Sequence, residues 1–227
     1  MNPDFWHQRW LKGETGWHQE EINPHLQNFW PALGLTVGAK VLVPLCGKSR
    51  DMLWLAGEGY RVLGVEISPL GVEAFFAENG LSPEISTAPP FRRYRVDELE
   101  ILCGDFFDLG PDQVSGVTAL FDRASLIALP PAMRPAYVRH LHGLLPAKTE
   151  VKGLLVTLDY EQTEWAGPPF AVTPTEVNAL HGAYFHIQEL AAHDLLASTP
   201  RYRERGLSRM MERVYRLTSN LMTIPRT

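Results

Sequence analysis

The run Val41-Leu-Val-Pro-Leu-Cys-Gly-Lys-Ser49, followed by Arg61-Val-Leu-Gly-Val-Glu66, constrains the fold more than any other part of this chain. A short apolar strand enters a tight turn at Gly47 and then a helix, and a second apolar strand ends on an acid. That is the first β-α-β unit of a nucleotide-type fold. In such a unit the turn brings backbone N–H groups close to a ligand, and the acid at the tip of the second strand holds two ribose hydroxyls.

The turn itself discriminates between adenosine-bearing ligands. Lys48-Ser49 after Gly47 has the ending of a P-loop, but that motif needs a glycine five positions before its Gly-Lys pair. Position 42 is Leu, inside the strand, so there is no flexible phosphate cradle. A dinucleotide fingerprint seats a pyrophosphate with three glycines, and only Gly47 is present. S-adenosylmethionine is a ribosyl cofactor without phosphate. It needs one close-approach glycine and the ribose-binding acid, and it fits best. The plain alternative is that Gly47 only turns the chain and Glu66 only ends a strand.

The rest of the chain continues the alternation. Ser49–Gly57 reads as a helix, with Ser49 or Arg50 near its cap and Gly57 and Gly59 as stop signals. Ser68-Pro69 is an N-cap and N1 pair opening a helix to about Asn79-Gly80. Arg92–Val96 and Glu98–Leu102 read as a hairpin, and Val117–Asp122 as the next strand. Met133, Tyr137, Leu141 and Leu144 mark one face of a helix. Gly153–Tyr160, nearly continuous in apolar residues, reads as a central parallel strand. Phe185–Leu190 and Glu212–Leu217 are expected to close the sheet as an antiparallel pair. The expected class is α/β, a doubly wound, mostly parallel Rossmann-like sheet in residues 36–217.

Residues 1–35 stand apart. They hold Trp6, Trp10, Trp17 and Trp30, four of the six tryptophans, and read as two helices joined by a loop around Gly13–Gly16. Packing explains most of these aromatics. A helical lid that lends one or two of them to a pocket is the expectation for this segment. The tail 218–227 is short and polar and is expected to be loose.

In open α/β sheets ligands bind beyond the carboxyl ends of the strands. Those ends here are Leu45-Cys46-Gly47, Glu66, Cys103-Gly-Asp105-Phe106, Asp122-Arg123 and Asp159-Tyr160. A lone acid at a strand end is usually a solvated surface residue, whereas several in consecutive units are harder to dismiss. Glu66 is the candidate for the ribose hydroxyls, as a carboxylate accepting two hydrogen bonds. Asp105 or the backbone near Phe106 is placed to receive an adenine amino group, with Phe106 or Phe107 against the ring or, equally, in the core. Arg123 is placed to hold the carboxylate of the cofactor's methionine part or to face the substrate; a salt bridge to Asp122 or Glu66 is the structural alternative.

Composition narrows the function classes. With 45% hydrophobic and 21% charged residues, the chain has the balance of an ordinary soluble globular protein, and its 227 residues suffice for one domain with a substantial core. A net charge of −5 without a basic run argues against nucleic acid and against an anionic membrane surface. No apolar run reaches the roughly 18 residues of a membrane span. The N-terminus has neither the basic nor the apolar region of a secretory signal. Cys46 and Cys103 are too few for a disulfide scaffold or a zinc cage, and the eight histidines lack metal-ligand spacing, so a cytoplasmic protein without a metal is expected. With no long apolar seam, a monomer is the default.

The chain is similar to the bacterial form of the thiopurine S-methyltransferase family. The motifs that carry the resemblance are Phe5-Trp-His-Gln-Arg-Trp10, Gly16-Trp-His18, Val43-Pro-Leu-Cys-Gly-Lys-Ser49, Asp51-Met52, Gly64-Val-Glu66, Cys103-Gly-Asp-Phe-Phe107, Phe121-Asp-Arg-Ala-Ser125, Ala166-Gly-Pro-Pro-Phe170 and Glu212-Arg-Val-Tyr215. It spans about residues 4–217. It implies a class I methyltransferase fold and methyl transfer from S-adenosyl-L-methionine, leaving S-adenosyl-L-homocysteine, to the sulfur of aromatic or heterocyclic thiols. Selenium and tellurium species are further acceptors associated with bacterial members.

Residue by residue, the resemblance implies cofactor contacts at Trp10, Leu45, Glu66 and Arg123, to which the strand-end reading adds Gly47, Asp105 and Phe106. It implies a substrate-side loop at Gly167-Pro-Pro-Phe170, with Pro168 stiffening the wall and Phe170 offering an aromatic face. Trp17 joins the substrate side, as does Arg201, for which Arg203 or Arg205 is an alternative. Arg123 and Arg201 are the catalytic candidates. They favour a thiolate electrostatically while its sulfur displaces the methyl in line. Methyl transfer needs no enzyme nucleophile, so Cys46 and Cys103 are expected to be packing residues. The competing readings are a noncatalytic S-adenosylmethionine-binding module, disfavoured by the Gly167–Phe170 loop, and a nicotinamide-dependent oxidoreductase, disfavoured by the missing glycines.

Overall fold

The structure, a computed structural model, describes residues 3–220. The chain divides into two compact units after Phe121.

The first unit opens with α1 (Pro3–Leu11) and α2 (Pro24–Phe29), the two helices expected in residues 1–35. It continues through β1 (Lys40–Val43), α3 (Asp51–Gly57), β2 (Arg61–Glu66), α4 (Pro69–Glu78), β3 (Glu84–Ala88), β4 (Phe91–Val96), β5 (Leu99–Cys103) and β6 (Val117–Arg123), whose last two residues open the second unit. The strand order is β3-β4-β5-β2-β1-β6. The pairs β5–β2, β2–β1 and β1–β6 are parallel, while β3, β4 and β5 run antiparallel to one another. The chain moves outward from β1 to β2 on one side and later returns to place β6 on the other. The carboxyl end of β1 is therefore the topological switch point, where this architecture receives ligands.

Alternation of apolar strands and helices produced this arrangement for a simple reason. Val41, Leu42, Val62, Leu63, Ile101 and Leu102 are buried in adjacent parallel strands, and each side chain so buried contributes about 1.5–3 kcal/mol. Trp30 belongs to this core, meeting Tyr60 and Phe121 edge-on at 5.9 and 6.1 Å. Ser68 caps α4 by accepting from the Gly71 N–H at 3.4 Å, with Pro69 at the first helical position. α3 starts at Asp51 with Arg50 at its cap position, as expected, although Arg50 makes no side-chain cap bond. Ser49 instead donates to the Asp51 carboxylate at 2.9 Å. That carboxylate also accepts the Asn23 N–H at 2.8 Å, which ties the start of α2 to the start of α3. β3 has no counterpart in the sequence reading.

The second unit contains α5 (Ser125–Ala128), α6 (Arg134–Leu144), β7 (Lys152–Tyr160), α7 (Pro174–His181), β8 (Phe185–Asp194), α8 (Leu195–Ser198), α9 (Pro200–Glu204) and β9 (Met210–Ser219). β7 is buried along nearly its whole length, as its sequence implied, but its pairing with β9 is antiparallel, from Lys152↔Thr218 to Tyr160↔Met210. β8 lies antiparallel on the other side of β9. The closing antiparallel pair is therefore present. β9 runs two residues beyond Leu217, so Thr218 and Ser219 belong to a strand, whereas positions 221–227 of the expected tail lie outside the described residues.

The fold is the expected α/β class, Rossmann-like with a mostly parallel core.

Candidate functional site

The turn after β1 is strained. Leu45 has φ 47° and Gly47 φ 55°. For leucine the left-handed region costs roughly 1–2 kcal/mol, so surrounding bonds must hold it there. Cys46 donates its N–H to the Val65 carbonyl at 2.9 Å, Ser49 donates to the Cys46 carbonyl at 3.1 Å, and Gly47 donates to the Glu66 carboxylate at 3.0 Å. A β-carbon on Gly47 would sit 3.7 Å from the Trp10 ring and 3.8 Å from the Trp17 nitrogen.

Glu66, at the tip of β2, is 6% exposed. One carboxylate oxygen takes the Gly47 N–H and the other the Ser68 N–H at 2.8 Å, and Trp10 donates from its side chain. Burial raises the pKa of this acid, while the Ser68, Gly47 and Trp10 donors pull it back down. Trp10 reaches Glu66 from α1, and Trp17 packs edge-on against both Trp6 and Trp10 at 5.4 and 5.8 Å. His7, one turn before Trp10, bonds through Nε2 to the Ile67 carbonyl at 3.1 Å. Trp10, Trp17, Gly47 and Glu66 thus form one cluster at the switch point. Trp17, expected on the substrate side, stands next to Trp10 and Gly47.

Glu66 is also in register with Cys103 of β5, and its carbonyl accepts the Gly104 N–H at 2.9 Å. Asp105 follows, its carboxylate accepting the Phe107 N–H at 3.0 Å and so capping a short 3-10 turn. The Phe106 ring is 4% exposed and lies in the core, whereas Phe107 is half-buried. Both cysteines are free and buried. Burial, and next the charge of Glu66, push both thiols up, that of Cys103 to about 11. The position of Cys46 before α3 does not lower its pKa, and neither thiol is a ready nucleophile.

In the second unit Arg123 ends β6, half-buried, and Ala124 after it turns the chain with φ 76°. Its neighbour Asp122 is fully buried and receives the Tyr137 hydroxyl at 2.7 Å, and burial raises its pKa to about 6. Pro168 and Phe170 lie on the segment leaving β7. The Phe170 ring folds back over Gly167, where a β-carbon would lie 2.6 Å from it. Phe170 donates its N–H to the Ile127 carbonyl at 2.6 Å. Arg201, Arg203 and Arg205 are all exposed. Arg201 lies 4.9 Å over the Tyr202 ring and donates to its hydroxyl, while Arg205 lies 4.8 Å over the Trp165 ring. The Trp165 and Tyr202 rings are 6.3 Å apart, so both arginines border one aromatic cluster.

Several residues that shape these regions escaped the sequence reading. Arg134, completely buried, donates to the carbonyls of Leu126, Leu129 and Ala171 and pairs with Glu176 at 2.7 Å. His142 and His181 share a buried contact of 3.3 Å between ring nitrogens. Trp165 and Gln162 organise the segment before Phe170. The only local signal for any of these was a charged or polar residue in an otherwise apolar helix face or loop. No cluster of three or more metal-ligating side chains exists among the described residues, and none of the described helices is long and apolar enough to cross a membrane.

Comparison with known proteins shows the family of the chain. Residues 1–220 match the family model described as thiopurine S-methyltransferase. A thiopurine S-methyltransferase of Pseudomonas fluorescens (strain Pf0-1) is 51% identical over 217 residues, which is 96% of this chain and 99% of that protein. One from Nitrosospira multiformis is 50% identical, over 96% and 98% respectively. Among solved structures, the Burkholderia thailandensis 1,6-didemethyltoxoflavin-N1-methyltransferase, with bound 1,6-didemethyltoxoflavin and S-adenosylhomocysteine, has a similar fold. It superposes with a TM-score of 0.59 at 16% identity, covering 95% of this chain and 86% of that one.

Proposed function

The chain belongs to the thiopurine S-methyltransferase family, and on that footing we propose that it transfers a methyl group from S-adenosylmethionine to the sulfur of aromatic or heterocyclic thiols of the thiopurine kind. The observation that carries the cofactor half of this reading is the buried Glu66 carboxylate facing the Gly47 turn at the switch point.

The residues present suit a ribosyl cofactor without phosphate. Gly47 leaves space beside two indoles, and the strained Leu45 holds the turn open to a close-approaching ligand. Glu66 accepts the ribose hydroxyls, and Trp10 contributes a cofactor contact from α1. Asp105 and the backbone at Phe106 receive the adenine amino group. Phe107, half-buried, is better placed than the core-packed Phe106 to lie against the base.

Bound there, S-adenosylmethionine supplies a methyl on a positively charged sulfur and leaves as a neutral thioether, so no general acid is required. The protein's work is alignment and exclusion of water, and three adjacent indoles serve the second. Arg123 favours the thiolate of the acceptor electrostatically, and Arg201 assists from α9. The acceptor-side candidates are Trp17 in the first unit and Pro168 and Phe170 in the second. Cys46 and Cys103 stay protonated and take no covalent part. Two free cysteines suit the reducing cytoplasm.

The test is calorimetry with S-adenosylhomocysteine and with NADH, followed by methyl-transfer assays on 6-mercaptopurine, thiophenol, selenite and tellurite. Binding of S-adenosylhomocysteine alone, with turnover of the thiols, is the expected result. Binding without turnover on any acceptor would mark a noncatalytic module, and binding of NADH alone would overturn the reading.

A further inference from the structure

The segment Glu161–Phe170 leaves β7 and rejoins buried structure at Ala171 with only one short 3-10 turn, Gln162–Glu164, of its own. Without a ladder of backbone bonds, its shape depends on side chains. One side chain does most of this. The Gln162 amide nitrogen donates to the Trp165 carbonyl at 2.6 Å and to the Tyr160 hydroxyl at 3.2 Å, while its oxygen accepts the Ala171 N–H at 2.8 Å. The Tyr160 hydroxyl has a single proton and gives it to the Pro169 carbonyl at 2.6 Å, the shorter of its two carbonyl contacts. Gln162 therefore spends both donors and its acceptor on the start, middle and end of the loop.

Other contacts fix the flanks. Phe170 is bonded to the Ile127 carbonyl, and the Glu164 carboxylate accepts the Ser208 N–H at 2.8 Å. Trp165 packs against Tyr160 and Tyr202. What remains between Trp165 and Ala171 is the Gly167–Phe170 run, curled so that Phe170 covers Gly167. Glutamate could not replace Gln162, because a carboxylate oxygen would face the Trp165 carbonyl with no proton between them.

We propose that Gln162, acting with Tyr160, is a positioning residue that sets the shape of the Gly167–Phe170 wall and with it the size of aromatic thiol the enzyme accepts. The inference rests on reading that run as the substrate side. Gln162 does not touch the acceptor. It acts by holding the carbonyls of Trp165 and, through Tyr160, of Pro169.

The experiment compares Gln162→Leu and Gln162→Glu with wild type, measuring KM and kcat for 6-mercaptopurine, a fused two-ring thiol, and for thiophenol, a single ring. Affinity for S-adenosylhomocysteine is measured alongside. Loss of the bridging bonds is expected to raise KM for the larger thiol about tenfold while thiophenol changes less than about threefold and cofactor-product affinity stays put. Tyr160→Phe keeps the ring in the core and deletes only the hydroxyl, so it carries the same test if the Gln162 variants fold poorly. A wild-type ratio of the two KM values in all three variants overturns the proposal. Phe170→Ala, run in parallel, separates the causes. If it alone shifts the ratio, the wall stands and the positioning role fails; if nothing shifts it, the substrate-side reading fails and takes this inference with it.

Discussion

The side chain of Trp10 donates a hydrogen bond to the Glu66 carboxylate, which already accepts the N–H groups of Gly47 and Ser68. A carboxylate offers about four acceptor sites, and a ribose brings two hydroxyl donors. Five donors compete for four places. The two backbone donors are fixed by the turn and the α4 cap, whereas α1 buries none of its residues. Trp10 is therefore the donor that yields. Adding S-adenosylhomocysteine should change tryptophan emission, and Trp10→Phe should remove most of that change while altering affinity by less than about tenfold. An unchanged emission response in Trp10→Phe would show that the indole stays in place.

Glu66→Ala deletes the acceptor for the ribose hydroxyls. Binding of S-adenosylmethionine should weaken by roughly 1.5–3 kcal/mol, about 10- to 150-fold, the scale for hydrogen bonds to a charged group. Folding stability should fall as well, because the Gly47 and Ser68 N–H groups lose their partner. Calorimetry on the folded variant checks this, and unchanged affinity rules out the ribose role.

Arg123→Ala should reduce methyl transfer by roughly 10- to 150-fold on the same scale, with a circular dichroism melt close to wild type. Collapse of the fold instead would make Arg123 a structural ion-pairing residue.

The histidine pair sets an acid limit to stability. Burial holds His142 at about 3, helped by its neighbour, and His181 at about 4, against an ordinary 6.5. The unfolded chain thus takes up these protons first. Stability conferred by the pair is complete above about pH 6.5 and is lost progressively as pH falls from there through the folded values of 4 and 3. Asp122 works the other way: its folded value of about 6 exceeds 3.8, so acidification through that window favours the fold. A comparison isolates the pair. Relative to the double variant His142→Phe/His181→Leu, wild type should lose roughly 5 kcal/mol between pH 6.5 and 4. Parallel pH profiles from denaturant melts would contradict this.

Local chemistry made much of this fold readable. Ser68-Pro69 declared the start of α4, and the apolar runs ending at Leu45 and Glu66 declared β1, β2 and the switch point, because each depends on residues adjacent in sequence. β3 was invisible: Glu84-Ile-Ser-Thr-Ala88 is exposed along nearly its whole length and carries no apolar alternation. It exists because β4 offers it a partner. The same limit hid the Trp10–Glu66 bond and the three-way reach of Gln162. Spacing along a chain says which residues share a face, but not which distant donor finds which acceptor. Phe106 and Phe107 show the converse, since neighbouring phenylalanines with identical local signals end up one in the core and one half-exposed.

Gly71 sits in the first turns of α4, where alanine would normally strengthen a helix by up to about 1 kcal/mol. Here a β-carbon would come within 2.8 Å of the Trp10 ring. A larger residue at position 71 would have to push that indole aside, whereas a lineage that shed the tryptophan would be free to fill the space. The two positions should drift together through evolution.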